Sequence, residues 1–218
     1  MAETYSRAQL REAMKLYAVT DRAWLYGRSL QDCVRDAIAG GVTFVQLREK
    51  DAPRYETIPL ARDLQRICAQ AGVPFVVDDD LELALEVDAD GVHLGQDDMD
   101  CAEARAILGP QRIIGVSVQT EEQALRAADA GADYLGVGAL VPTATKPDAV
   151  DVPKAELAAI CAAVDLPIVG IGGLNEDTLA DFAGLGLDGA AVVSAIFASD
   201  DCKEAARRLR GIVEGVLL

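Results

Sequence analysis

Two basic side chains in the segment Gln46-Leu47-Arg48-Glu49-Lys50 are the first candidates for chemistry, because the segment directly follows an apolar run at 42–45. Side chains of an extended segment alternate between two sides, so Arg48 and Lys50 face the same way. Two cations on one side suit an anion with several oxygens. The alternative is a solvated strand end in which Glu49 neutralises its neighbours.

Two acidic clusters follow the third and fourth apolar runs of the chain. They are Asp78-Asp79-Asp80 and Gln96-Asp97-Asp98. Carboxylates that end neighbouring strands can converge on one cation, and Mg²⁺ takes such oxygens while keeping positions open for phosphate. Capping of the following helices is the alternative for Asp80 and Asp97. The density of both clusters favours metal binding by at least one pair.

Further hydrogen-bond donors follow the later runs. Ser117 directly follows the fifth run and could donate to a phosphate or to a ring, or serve only the local structure. The loop at 142–147 carries two hydroxyls and an ammonium, all of which can donate hydrogen bonds, as an oxyanion requires. Gly172-Gly173 and Ser194 follow the last two runs, where backbone N–H groups can hold a second phosphate. His93 is the one histidine and lies within an apolar run, which favours an interior hydrogen-bonded residue over a catalytic base.

These side chains need a scaffold that brings the ends of many short strands together. Eight short apolar runs alternate with eight segments of helical periodicity. The runs are 16–19, 43–47, 75–77, 91–94, 113–116, 134–137, 168–171 and 190–193. The helical segments are 30–39, 58–71, 81–87, 102–108, 121–130, 154–163, 178–183 and 203–216.

Eight strand–helix units with short connections predict an α/β protein with a single (β/α)₈ TIM barrel. The predicted domain covers residues 1–218, with 1–14 as an N-terminal extension or helix. An open doubly wound sheet is the competitor, and it favours a G-x-G-x-x-G motif after the first strand. Thr20-Asp21-Arg22 offers nothing of that kind. In a barrel, active sites lie at the C-terminal ends of the strands, where all the clusters above fall.

Composition excludes several classes of function. The 218 residues carry a net charge of −16, which argues against nucleic acids and anionic membranes as partners. The chain has no apolar run long enough to span a bilayer and no signal peptide at its polar N-terminus. Five cysteines form no C-x-x-C pair, which predicts reduced thiols in a cytoplasmic setting and disfavours structural zinc.

The ordered motifs carry a family resemblance along the chain from 16 to 196. QLREK at 46–50 is followed by the Asp pair at 78–79, GVHLGQDD at 91–98, GVS at 115–117, PTATKP at 142–147 and GIGG at 170–173. In this order they resemble the thiamine phosphate synthase family of (β/α)₈ enzymes. The resemblance implies a transferase that joins 4-amino-5-hydroxymethyl-2-methylpyrimidine diphosphate to 4-methyl-5-(2-phosphoethyl)thiazole and releases pyrophosphate.

The resemblance also implies roles for individual residues. The pyrimidine diphosphate site maps onto Gln46, Leu47, Arg48, Glu49, Lys50, Asp78, Ser117 and Lys146. Of these, the catalytic set is Arg48, Lys50, Lys146 and Ser117. One Mg²⁺ per subunit maps onto Asp79 and Asp98. The thiazole phosphate site maps onto Thr143, Ala144, Thr145, Gly173, Val193 and Ser194. The implied partners are these two small molecules, and a homo-oligomer is left open.

Four positions depart from the family pattern. Asp78 stands where the family usually has asparagine, and Gln119 where histidine is common. Ala139 and Val141 replace a proline and an aromatic residue of the sixth loop. Two alternatives therefore stay open, namely a related barrel that isomerises the thiazole phosphate and a non-catalytic paralogue that binds thiamine phosphates.

Overall fold

The eight predicted strands close into one parallel barrel in strand order β1 to β8, with β8 paired to β1. The computed structural model describes residues 5–50, 52–142 and 151–217. The strands are β1 Leu16–Val19, β2 Phe44–Leu47, β3 Phe75–Asp78, β4 Gly91–Leu94, β5 Ile113–Val118, β6 Tyr134–Val137, β7 Ile168–Ile171 and β8 Gly189–Val192. The prediction of a (β/α)₈ barrel is confirmed.

Helices follow the strands around the outside of the barrel. They are α2 Leu30–Gly40, α3 Arg54–Ala71, α4 Leu81–Glu86, α5 Cys101–Leu108, α6 Glu121–Asp129, α7 Lys154–Ala163, α8 Ser194–Phe197 and α9 Cys202–Val216, with α1 Arg7–Ala13 ahead of β1. The α3 helix begins four residues earlier than predicted, directly after Pro53, whose fixed φ suits the position before a first turn. The helix predicted at 178–183 is a single 3₁₀ segment, Leu179–Phe182, which leads into Gly184 in the left-handed region.

Side chains of the strands separate into two apolar layers. Those that point inward, including Tyr17, Phe44 and Tyr134, pack with Leu10 and Met14 of the α1 segment. Outward side chains pack against the surrounding helices. Because α1 closes the N-terminal end of the barrel interior, polar groups at the C-terminal ends of the strands face the open end.

No helix within residues 5–50, 52–142 and 151–217 is long and apolar enough to cross a membrane. All five cysteines are unpaired thiols, as the sequence predicts.

Candidate active site

The two cations of the second loop lie on the same side and share a partner from the third strand. The Oδ2 atom of Asp78 lies 3.7 Å from Arg48 Nε and 3.1 Å from Lys50 Nζ. Strand β2 pairs with β3, which places the two strand ends side by side. Burial raises the pKa of Asp78, while the two cations oppose that rise. The predicted common orientation of Arg48 and Lys50 is confirmed.

The neighbouring side chains of Leu47 and Glu49 face away from these two cations. Arg22 donates from Nε to Glu49 Oε2 over 2.8 Å, so Glu49 holds the first loop and does not neutralise Arg48 and Lys50. Leu47 is buried among the outward-facing residues that pack against the helices. Neutralisation of Arg48 and Lys50 by Glu49, which the sequence left open, is therefore wrong. Any substrate contact by Leu47 or Glu49 would have to come from the main chain.

Asp79 reaches the same cluster through an uncommon backbone conformation. Its φ of 59° lies in the left-handed region, and its N–H donates over 2.9 Å to the carbonyl of His93 on the neighbouring strand β4. Its carboxylate forms an ion pair with Lys50. Burial is the largest single effect on the pKa of Lys50 and lowers it, but the hydrogen bonds and charges of Asp79 and Asp78 together outweigh burial and raise that pKa.

Asp98 approaches Asp79 from the fourth loop. Its Oδ2 accepts the N–H of Gly95 over 2.7 Å. Loss of hydration, followed by the hydrogen-bonded Asp79 carboxyl beside it, raises the pKa of Asp98. Two carboxylates this close together form an acidic pair whose repulsion a bound cation would relieve.

The donor set of this pair fits Mg²⁺. Among the described residues, no three His, Cys, Asp or Glu side chains are grouped to hold a metal ion. Mg²⁺ is usually bound in proteins by one or two carboxylates, with waters and substrate phosphates in the other positions. Asp79 and Asp98 match that pattern. A structural zinc site differs from it, because four protein ligands enclose the ion.

Helix capping accounts for only one of the two acidic residues to which it could apply. Asp80 is the N-cap of α4 and accepts the N–H of Leu83 over 2.8 Å. The N-cap of α5 is Asp100, which accepts the N–H of Ala102 over 2.9 Å, so the capping alternative is wrong for Asp97. Asp97 is exposed at the surface of the fourth loop.

Below the acidic pair, a chain of hydrogen bonds crosses the barrel interior. Gln46 Nε2 donates to the Tyr17 hydroxyl over 2.6 Å, and that hydroxyl lies 2.8 Å from the Tyr134 hydroxyl. His93 contacts Tyr134 through Nδ1 and Ser117 Oγ through Nε2, each over 2.8 Å. Burial lowers the pKa of His93 to about 4. The prediction of an interior, hydrogen-bonded histidine is confirmed.

Tyr17 and Tyr134, the two tyrosines in this series of hydrogen bonds, are interior residues that the sequence pattern did not reveal. Both lie in apolar runs and have the size and apolar ring of a core residue, so periodicity alone classes them as core. The available signal was a phenol among aliphatic neighbours, since a buried hydroxyl needs a partner.

The structure describes only part of the predicted thiazole phosphate site and does not describe Lys146. Thr143, Ala144, Thr145 and Lys146 lie outside the described residues. Gly173 follows β7 with a φ of 65°, and Val193 and Ser194 follow the adjacent strand β8. The left-handed φ of Gly173 favours glycine at this position, where the backbone is free of a side chain.

Comparison with known proteins identifies the family of this chain. The family model described as thiamine monophosphate synthase matches residues 16–196. The chain belongs to the thiamine monophosphate synthase family. Relatives named thiamine-phosphate synthase are 47% identical in Syntrophomonas wolfei and 48% identical in Chloroflexus aurantiacus. Both alignments cover 91% of this chain, with 96% and 92% of the respective relatives.

A solved structure supports the same assignment. A thiamine phosphate pyrophosphorylase from Pyrococcus furiosus superposes with a TM-score of 0.88 at 41% identity, covering 96% of this chain and all of that one. The matched region of the thiamine monophosphate synthase family contains every candidate residue described above.

Proposed function

We propose that this chain is a thiamine phosphate synthase, a transferase that joins the pyrimidine diphosphate to the thiazole phosphate and releases pyrophosphate. The observation that carries the proposal is one cluster at the open end of the barrel. It combines the cations Arg48 and Lys50 with the carboxylates Asp79 and Asp98. Family membership and the high identity to named synthases support the same activity.

The residues of the cluster act on the diphosphate. Arg48 and Lys50 bind its oxygens and stabilise the charge that grows on it as the bond to the pyrimidine methylene breaks. Lys146 of the sixth loop adds a third cation in this proposal. Asp79 and Asp98 would hold one Mg²⁺ per subunit, which supplies further charge neutralisation when bound.

A net charge of −16 makes this local arrangement necessary. A diphosphate that approached an acidic protein without a local basic cluster would be repelled. Asp78 forms ion pairs with both Arg48 and Lys50, so the diphosphate must compete with its carboxylate for these two cations. We expect Asp78 to weaken diphosphate binding while it holds the two cations in place.

Bond formation needs no base from the protein. The methylene carbon becomes electron-poor as pyrophosphate departs, and the thiazole nitrogen attacks it with its own lone pair. His93 is neutral at physiological pH and has both ring nitrogens in hydrogen bonds. The thiazole phosphate would bind at Thr143, Ala144, Thr145, Gly173, Val193 and Ser194.

The direct test is to incubate the purified protein with both substrates and Mg²⁺ and to measure pyrophosphate and thiamine phosphate. Formation of both in equal amounts is expected, and absence of both would contradict the proposal. Aromatisation of the thiazole without the pyrimidine substrate would instead favour the isomerase alternative. Tight product binding without turnover would favour a binding protein. No comparison supports either alternative. A cytoplasmic location and a homo-oligomer remain predictions.

The substitution Asp78→Asn is expected to preserve activity within about threefold and to lower KM for the pyrimidine diphosphate. The amide keeps the shape of the side chain but no longer competes as an anion for Arg48 and Lys50. Steady-state kinetics with the diphosphate varied at saturating thiazole phosphate would measure both values. A loss of activity of about a hundredfold or more, as expected for Asp79→Asn, would show that Asp78 does not occupy the amide position of the family.

A further inference from the structure

The interior hydrogen-bond chain contains three titratable side chains that the proposed mechanism does not use. Tyr17 and Tyr134 are 1% and 0% exposed, and His93 is 7% exposed. Burial raises the pKa of both phenols and lowers that of the imidazole, so all three are neutral. Each hydroxyl therefore keeps one hydrogen to donate, and the imidazole has one protonated nitrogen and one acceptor nitrogen.

Gln46 sets the direction in which the hydrogen bonds of this series donate. Its Nε2 atom can only donate, so the Tyr17 oxygen accepts. The hydrogen of Tyr17 must then go to Tyr134, because within the described residues the Tyr17 hydroxyl bonds only Gln46 and Tyr134. In the opposite sense, the buried O–H of Tyr17 would have no acceptor, which is unfavourable for a group away from water.

The same reasoning extends to the other end. Tyr134 accepts from Tyr17, so its own hydrogen goes to Nδ1 of His93. A neutral imidazole that accepts at Nδ1 carries its hydrogen on Nε2, and that hydrogen points at Ser117 Oγ. The serine oxygen thus accepts from inside the barrel, and its hydroxyl hydrogen is left to donate elsewhere.

We propose that Tyr17, Tyr134 and His93 are positioning residues that fix the Ser117 hydroxyl as a hydrogen-bond donor to the pyrimidine diphosphate. The inference deepens the proposed function and rests on it. The five residues come from strands β1, β2, β4, β5 and β6, so the chain also ties Gln46 to Ser117 across the interior. Bonds that donate in one direction polarise one another, which strengthens the terminal donor.

The first test uses the unmodified protein. His93 is the one histidine in the chain, so its two ring nitrogens give an unambiguous ¹⁵N signal without assignment. We expect the hydrogen on Nε2 alone at neutral pH. A hydrogen on Nδ1, or a mixture of both forms, would overturn the proposed direction. This result does not depend on turnover, so it is separate from a failure of the proposed function.

The second test removes one hydroxyl from the middle of the chain. Tyr134→Phe keeps the ring that packs 5.5 Å from Phe44 but breaks the link between Tyr17 and His93. We expect KM for the pyrimidine diphosphate to rise about tenfold, as for one lost hydrogen bond, with KM for the thiazole phosphate unchanged. Tyr55→Phe, at a tyrosine that is 76% exposed, is the matched control and should change neither value.

A double-mutant cycle separates positioning from simple loss of structure. In a Ser117→Ala background, Tyr134→Phe should raise KM for the pyrimidine diphosphate no further, because the donor it positions is gone. Independent, multiplicative effects of the two substitutions would overturn the proposal, as would an equal rise in both KM values. Inhibition by pyrophosphate alone identifies the acceptor. Tyr134→Phe should weaken this inhibition, because the Ser117 hydroxyl donates to the diphosphate, and unchanged inhibition would overturn the proposal.

Discussion

Asp79→Asn and Asp98→Asn are each expected to lower kcat/KM by about a hundred- to a thousandfold, which is typical of losing one group that stabilises transition-state charge. Each change removes one anionic oxygen ligand from the acidic pair while keeping the shape of the side chain. Asparagine also tolerates the left-handed φ of 59° at position 79, so the fold should persist. The measurement is the initial rate with the pyrimidine diphosphate varied at saturating thiazole phosphate, repeated over a series of Mg²⁺ concentrations.

Asp97→Asn is the matched control for this experiment. It makes the same change of charge one residue away, in the exposed part of the fourth loop, and should leave the Mg²⁺ dependence unaltered. Partial recovery of Asp79→Asn or Asp98→Asn at raised Mg²⁺ would agree with a weakened metal site. Wild-type rates and Mg²⁺ dependence in both variants would contradict the assignment of these two carboxylates as metal ligands.

Gly115→Ala is expected to destabilise the protein by about 3 kcal/mol or more, at the upper end of the range for overpacking a core. Gly115 on β5 lies opposite Tyr134 on β6, and the phenol ring covers the glycine. A methyl group at Gly115 would lie 2.1 Å from Tyr134 Cζ and 2.4 Å from its hydroxyl oxygen. The ring is fully buried, so it cannot move without disturbing the interior hydrogen bonds.

The same substitution at Gly211 gives a control of opposite sign. Gly211 lies within α9, and no atom lies within 4 Å of the added methyl group. Gly211→Ala should therefore raise stability by about 0.5–1 kcal/mol, because alanine loses less backbone freedom in a helix. Urea unfolding followed by circular dichroism would measure both changes. Equal stability of Gly115→Ala and wild type would show that the barrel interior is looser than the packing around Tyr134 implies.

The sequence by itself determined the barrel and the common orientation of two cations at the end of its second strand. Alternating short apolar runs and helical segments sufficed for the (β/α)₈ fold, because burial on both faces of a parallel strand leaves a continuous apolar signal. Strand alternation placed Arg48 and Lys50 on one side, and that expectation depends only on local backbone geometry. The helix at 178–183 was not well predicted, because its pattern is too short to separate an α-helix from a 3₁₀ turn.

Only the tertiary structure decided which side chains meet. Tyr17 and Tyr134 are 117 residues apart, and their hydroxyls meet because both side chains point into the interior of the closed barrel. The partner of Glu49 is Arg22 from another loop, and Asp78 holds the two cations that the sequence assigned to a ligand. Periodicity reports which side of a strand a residue occupies, whereas the partner across the interior depends on strand order, register and side-chain size together.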